Sequence, residues 1–166
     1  VRATNGAANT SPVPSNGQLD ANENADTSAA RTFFYDNTAP VSQVTSPADN
    51  TMVNNTLPVV TGTSYDPTGA GNPTGVVDVS LLLHRSDGQY FQPASNNYGA
   101  GNPGFSNIGI TGLAPFSRSF VAGTFQDGYQ YRMNAQATDA ATNVEALFAT
   151  TTFMVYLTTP VASIAS

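Results

Sequence analysis

Along residues 129–137 the side chains alternate. Tyr129, Tyr131, Met133, Ala135 and Ala137 fall on one side, and Gln130, Arg132, Asn134 and Gln136 on the other. A period of two sends successive side chains to opposite faces of a strand, so this segment is expected to line a core with one face and meet water with the other. Residues 77–83 follow the same pattern, with Val77, Val79, Leu81 and Leu83 expected inward and Asp78 and Ser80 outward. No window sets apolar residues at helical spacing over three turns, and Gly, Pro, Asn, Asp and Ser interrupt the chain every ten residues or so. Further strands are expected at 41–45, 57–63, 89–92, 117–122 and 149–156. About seven short antiparallel strands at this spacing predict an all-β sandwich.

The chain also repeats itself. Ala3-Thr4-Asn5-Gly6-Ala7-Ala8-Asn9 returns as Ala137-Thr138-Asp139-Ala140-Ala141-Thr142-Asn143, and Thr38-Ala39-Pro40-Val41 returns as Thr158-Thr159-Pro160-Val161. A period of roughly 120 residues points to an array, with one whole module between two partial copies. The expected division is residues 1–36 as the last strands of a preceding repeat, or donor strands for another subunit, then 37–157 as the complete module and 158–166 as the start of the next. An opening without Met, inside a strand pattern, is expected of a processed end or of a stretch cut from a longer protein, the second being favoured.

Composition narrows the function classes. With no cysteine the chain has no disulfide framework, thiol nucleophile or Cys-based metal site. There is no lysine, and five arginines against eleven carboxylates give a net charge of -6, so no basic patch predicts nucleic-acid binding. No apolar run reaches the roughly 20 residues of a membrane span. Only 10% of residues are charged, with Ser, Thr, Asn and Gly in their place, a composition expected of an extracellular or bacterial cell-surface chain. The single histidine, His84, falls on the polar face of the 77–83 strand without a second imidazole or thiolate. No serine sits in a G-x-S-x-G turn and no carboxylate pair is marked out, so an enzyme is not expected.

Four ordered elements carry a family resemblance: Asp36-Asn37-Thr38-Ala39-Pro40, Thr45-Ser46-Pro47-Ala48-Asp49-Asn50, Pro58-Val59-Val60-Thr61-Gly62-Thr63-Ser64-Tyr65-Asp66, and residues 137–143. In this order they resemble the tandem bacterial Ig-like (Big-type) repeat of extracellular surface and adhesin proteins, over residues 36–157. The resemblance implies an Ig-like antiparallel β-sandwich joined head-to-tail to neighbouring repeats or subunits, as a semi-rigid stalk or fibre. It also gives Tyr131 the place of a structural tyrosine whose hydroxyl ties to a corner of the backbone. Asn50 and Thr142 stand where that family usually has glycine, so both turns need a left-handed Asn or another turn type.

Candidate sites are few. The partial copy at the start carries about 14 extra residues within 11–30. There Asp20, Asn22, Asn24 and Asp26 alternate as in the opening of a calcium loop, although Ala25 replaces the usual Gly and Arg31 the usual Glu. A solvated polar loop is the alternative. The Ig-like resemblance implies that Asp66 and Asp139 approach at one end with Asn143 nearby, as a second calcium site. The alternative there is that Asp139 and Asn143 only hold their own hairpin. The long connection 94–115 carries Tyr98 and Phe105 among Gly, Asn and Pro. These rings are expected either to cap the core or to bind a partner, a glycan or a surface protein, as an adhesin module would.

Overall fold

The computed structural model describes residues 35–54, 59–68 and 73–158. The expectations placed on residues 1–34 and 159–166, including Asp20, Asn22, Asn24 and Asp26, lie outside the described residues. Strands β1 (Val41–Ser46), β3 (Val59–Tyr65), β8 (Phe116–Ser119) and β7 (Ile110–Thr111) form one sheet, in the order β1-β3-β8-β7. The second sheet runs β2-β10-β9-β4-β5-β6, from β2 (Thr51–Val53), β10 (Thr150–Val155), β9 (Gln130–Asp139), β4 (Val76–Arg85), β5 (Tyr90–Gln92) and β6 (Asn97–Gly99). The chain is an all-β sandwich. Every pairing is antiparallel except β10 with β2, and no helix long and apolar enough to cross a membrane occurs among the described residues.

The alternating pattern sets the core. Tyr131, Met133, Ala135 and Ala137 of β9 are fully buried against Val79, Leu81 and Leu83 of β4, and Val60, Phe116, Phe153 and Val155 close the interior from the other strands. Phe125, Tyr131 and Phe153 pack ring to ring at 5.1–5.6 Å between centroids. The Tyr131 hydroxyl accepts the Gln126 N–H at 2.7 Å, holding the turn before β9 from inside the core. Gly62 lies so close to the Phe116 ring and the Gln43 carbonyl that a Cβ would overlap both.

Several details depart from the pattern. Val77 is expected inward but is 54% exposed, because a bulge between Val76 and Asp78 in the pairing with β9 shifts the register by one residue. Val76 packs on the core instead. Asn134, expected in water, is 5% exposed, and its amide donates to Thr150 Oγ1 at 2.6 Å beneath the arch 145–149. The connection 94–115 is not structureless. It forms β6, pairs Ser106 with Leu81 along the edge of β4, and crosses to the other sheet as β7.

The free edge of β1 is covered at Ser42 by a side chain from the connection between β9 and β10. Glu145, 3% exposed, accepts the Ser42 N–H at 3.0 Å, the Ser42 hydroxyl, and the Ala137 N–H at 3.0 Å. With the Ser42 N–H occupied in this way, that point of the edge is closed to a stray strand.

The described body has two poles. The chain joins it at Asp36, whose carboxylate accepts from Thr74 just before β4, and the end of β9 lies at this same leading pole. It leaves at residues 156–158, where the Asp127 carboxylate accepts the Leu157 N–H at 2.6 Å, beside the start of β9. The ten residues of β9 run between the two poles, about 30 Å at about 3.3 Å per residue.

Candidate functional site

Three carboxylates meet at the leading pole. Asp36 follows no strand; its Oδ1 accepts the Thr38 N–H at 3.0 Å in a tight local turn, and its Oδ2 accepts both the N–H and the hydroxyl of Thr74 at 2.9 Å. The Thr38 backbone bond, assisted by those from Thr74 and opposed by burial, holds the Asp36 carboxyl below its usual range. Asp66 follows β3, and its Oδ2 accepts the Gly75 N–H at 2.7 Å. Asp139 ends β9, is 1% exposed, and takes both donors of Asn143, N–H on Oδ1 and amide on Oδ2, each at 2.8 Å.

One oxygen from each of Asp36, Asp66 and Asp139 lies within 4.8 Å of the others. Ligands bound to calcium at about 2.4 Å on opposite sides of the ion are about 4.8 Å apart, so this spacing suits a hard cation with oxygen ligands. The bonding supplies a second observation: Asp66 Oδ1 is buried and, among the described residues, has no hydrogen-bond partner. A buried carboxylate oxygen without a donor is costly and is satisfied by a cation, a proton or a water.

The structure therefore brings Asp66 and Asp139 together. Asn143 stands beside them as a donor, to Asp139 and, at 3.2 Å, to the Asp36 carbonyl; it orients the carboxylates and does not point an oxygen at them. Asp36 is the third member, absent from the ligands expected from sequence. Its signal was present in the Asp-x-Thr spacing, which builds a side-chain turn and fixes the carboxylate where the chain joins the body.

The other candidate rings part company. Tyr98 leans on the core, edge to face with Phe91 at 5.7 Å and under the Arg85 guanidinium at 4.2 Å; burial pushes its phenol strongly up. Phe105 instead meets Phe148 at 4.8 Å, beside Leu147, which is 94% exposed. His84 is half-buried, with its ring 4.6 Å from Tyr90 and Arg132 directly across the ladder, not a carboxylate pair.

No protein-family model, curated protein or solved structure matches the chain, so its functional reading rests on residues and geometry.

Proposed function

We propose that the chain is a structural module of an extracellular bacterial repeat protein or filament of the tandem Ig-like type, a building block of a semi-rigid stalk. The observation that carries this reading is the placement of the two chain ends of the described body, at Asp36 and at Leu157, on opposite poles. A module joined in this way adds its length to an array, whereas ends at one pole would fold successive modules back on each other. The strand order, with β1 and β2 divided between the two sheets, supports the Ig-like type. The Tyr131 hydroxyl on the Gln126 backbone supports it as well.

In this reading Asp36, Asp66 and Asp139 hold calcium at the leading pole. Such an ion neutralises three clustered acids and ties the segment from Asp36 to Pro40 to the ends of β3 and β9. The adhesin alternative, through residues 94–115, has less support: Tyr98 is turned onto the core, leaving Phe105, packed on Phe148, as the ring of that connection that could meet a partner.

The test is a head-to-tail fusion of two copies of the chain, measured by small-angle scattering with calcium present. The stalk reading expects the maximum dimension to grow by about the length of one body, about 30 Å or more. A fusion no longer than the single chain overturns it.

A further inference from the structure

The outer face of the six-stranded sheet carries two adjacent rows of side chains that the ladder aligns across its strands. In the first, Tyr90 faces His84, His84 faces Arg132, and Arg132 faces Thr152. In the second, the Ser86 hydroxyl accepts the Gln130 N–H at 3.3 Å, Gln130 faces Met154, and Met154 faces Met52. Cross-strand neighbours stand about 4.5–5.5 Å apart, so the rows make a continuous surface. His84, Ser86, Gln130, Arg132 and Thr152 line a depression of about 250 Å³. A second, of about 140 Å³, shares Gln130 and Thr152 and continues onto Met52 and Met154.

Charge distinguishes this surface from the rest of the described residues. The chain carries a net charge of -6 and no lysine, yet Arg132 is exposed here with no ion-pair partner among the described residues. Three groups face or act on His84: Arg132 on β9, the Tyr90 ring on β5, and Asp87 in the turn after β4. Asp87 is already held by Arg85 at 2.7 Å. Burial, and then the Arg132 charge, keep the imidazole below its usual pKa against the pull of Asp87. An anion seated between His84 and Arg132 relieves that repulsion.

We infer that this two-row surface binds an acidic sugar, its carboxylate on Arg132 beside His84, its hydroxyls on Ser86, Gln130 and Thr152, and a following sugar over Met52 and Met154. The choice of a sugar over a peptide follows from the ladder. Within these rows the strands have a neighbour on both sides, His84 between Tyr90 and Arg132 and Arg132 between His84 and Thr152, so the backbone there is taken up by the ladder and recognition falls to hydroxyl and amide side chains. Those side chains match the donors and acceptors of sugar hydroxyls, and the guanidinium fork matches a carboxylate. A bound carboxylate favours the imidazolium, so affinity rises as the pH falls from neutral towards about 5. This inference is independent of the stalk reading.

The experiment is an NMR titration of the full chain with sodium glucuronate, with glucose and inorganic phosphate as comparators. Glucuronate is expected to shift the resonances of His84, Ser86, Gln130 and Thr152, with a dissociation constant on the order of 1 mM for one sugar. It is also expected to raise the His84 pKa. Arg132→Gln, at an exposed position, keeps the melting temperature and weakens binding by about tenfold or more, and Arg132→Lys restores part of it. The proposal is overturned if glucuronate leaves these residues unmoved, if glucose binds equally well, or if folded R132Q binds like the parent. Phosphate binding as tightly as glucuronate marks a plain anion surface and overturns the sugar assignment.

Discussion

Thr142 closes the β9 hairpin with φ at 70°, the left-handed region in which a Cβ crowds the following carbonyl. For an L-residue this costs about 1–2 kcal/mol, and a branched Cβ lies at the upper end. Thr142 is exposed, and among the described residues its hydroxyl makes no hydrogen bond; its N–H donates to the Asp139 carbonyl at 3.2 Å. Thr142→Gly keeps that backbone bond and removes the crowding. The opposing effect is the greater freedom of glycine in the unfolded chain, about 0.5–1 kcal/mol. The net expectation is a gain of about 0.5–1.5 kcal/mol, and at about 4 °C per kcal/mol for a body of this size the melting temperature rises by about 2–6 °C. Calorimetry and urea midpoints of T142G and T142A read this directly. T142A keeps a Cβ at the same φ, so it should recover only a small part of the gain. A T142G no more stable than the parent, or a T142A equal to T142G, refutes the argument from φ. Asn50, at φ 56°, is the internal comparison: Asn tolerates this region, so Asn50→Gly should gain only a few tenths of a kcal/mol.

Three further outcomes follow from the same structure. Calcium at about 100 times its dissociation constant is expected to stabilise the chain by about 2.7 kcal/mol, and Asp66→Asn should abolish the response to calcium and chelator in a thermal melt. Tyr131→Phe removes the acceptor for the Gln126 N–H and should cost about 1 kcal/mol, read as a lower urea midpoint at unchanged slope. Gly62→Ala drives a methyl into the Phe116 ring and the Gln43 carbonyl; the expected cost is about 3 kcal/mol, with loss of the near-ultraviolet dichroism of the core rings.

Strand positions were largely legible, because alternation is a local property and both long strands show it. Where legibility failed, a distant partner decided. The Val76/Asp78 register shift is a feature of the pairing with β9, so residues 77–83 read alone turn Val77 the wrong way. Asn134 reads as solvated until the arch 145–149 returns over it. The short strands β2, β6 and β7 have too few residues to show a period and exist through their neighbours' ladders. The pole was half legible: the Ig-like resemblance implied that Asp66 and Asp139 meet, while Asp36 joins them through a turn made by its own side chain. The row His84–Arg132 could not be read at all, since neither residue indicates which strand it will face.

The two poles bear on each other if modules follow in series. The leading pole gathers Asp36, Asp66 and Asp139, and the trailing pole ends on Asp127, whose carboxylate accepts from Leu157 and Thr158. Arg85 lies near that trailing end, but it is buried under Tyr98 and Tyr129 and paired with Asp87, so its charge is already matched. No lysine exists to bridge the junction. Abutting poles would therefore set acid against acid, a repulsion that monovalent salt screens weakly at contact distance and a divalent cation removes. A two-copy fusion is accordingly expected to stiffen with calcium, with a narrower distribution of interdomain distances by spin-label spectroscopy, and to loosen with chelator. Asp36→Asn together with Asp139→Asn should leave it loose in both conditions. Equal stiffness with and without calcium would assign the junction to the Pro40 linker alone and remove the ion from the mechanism.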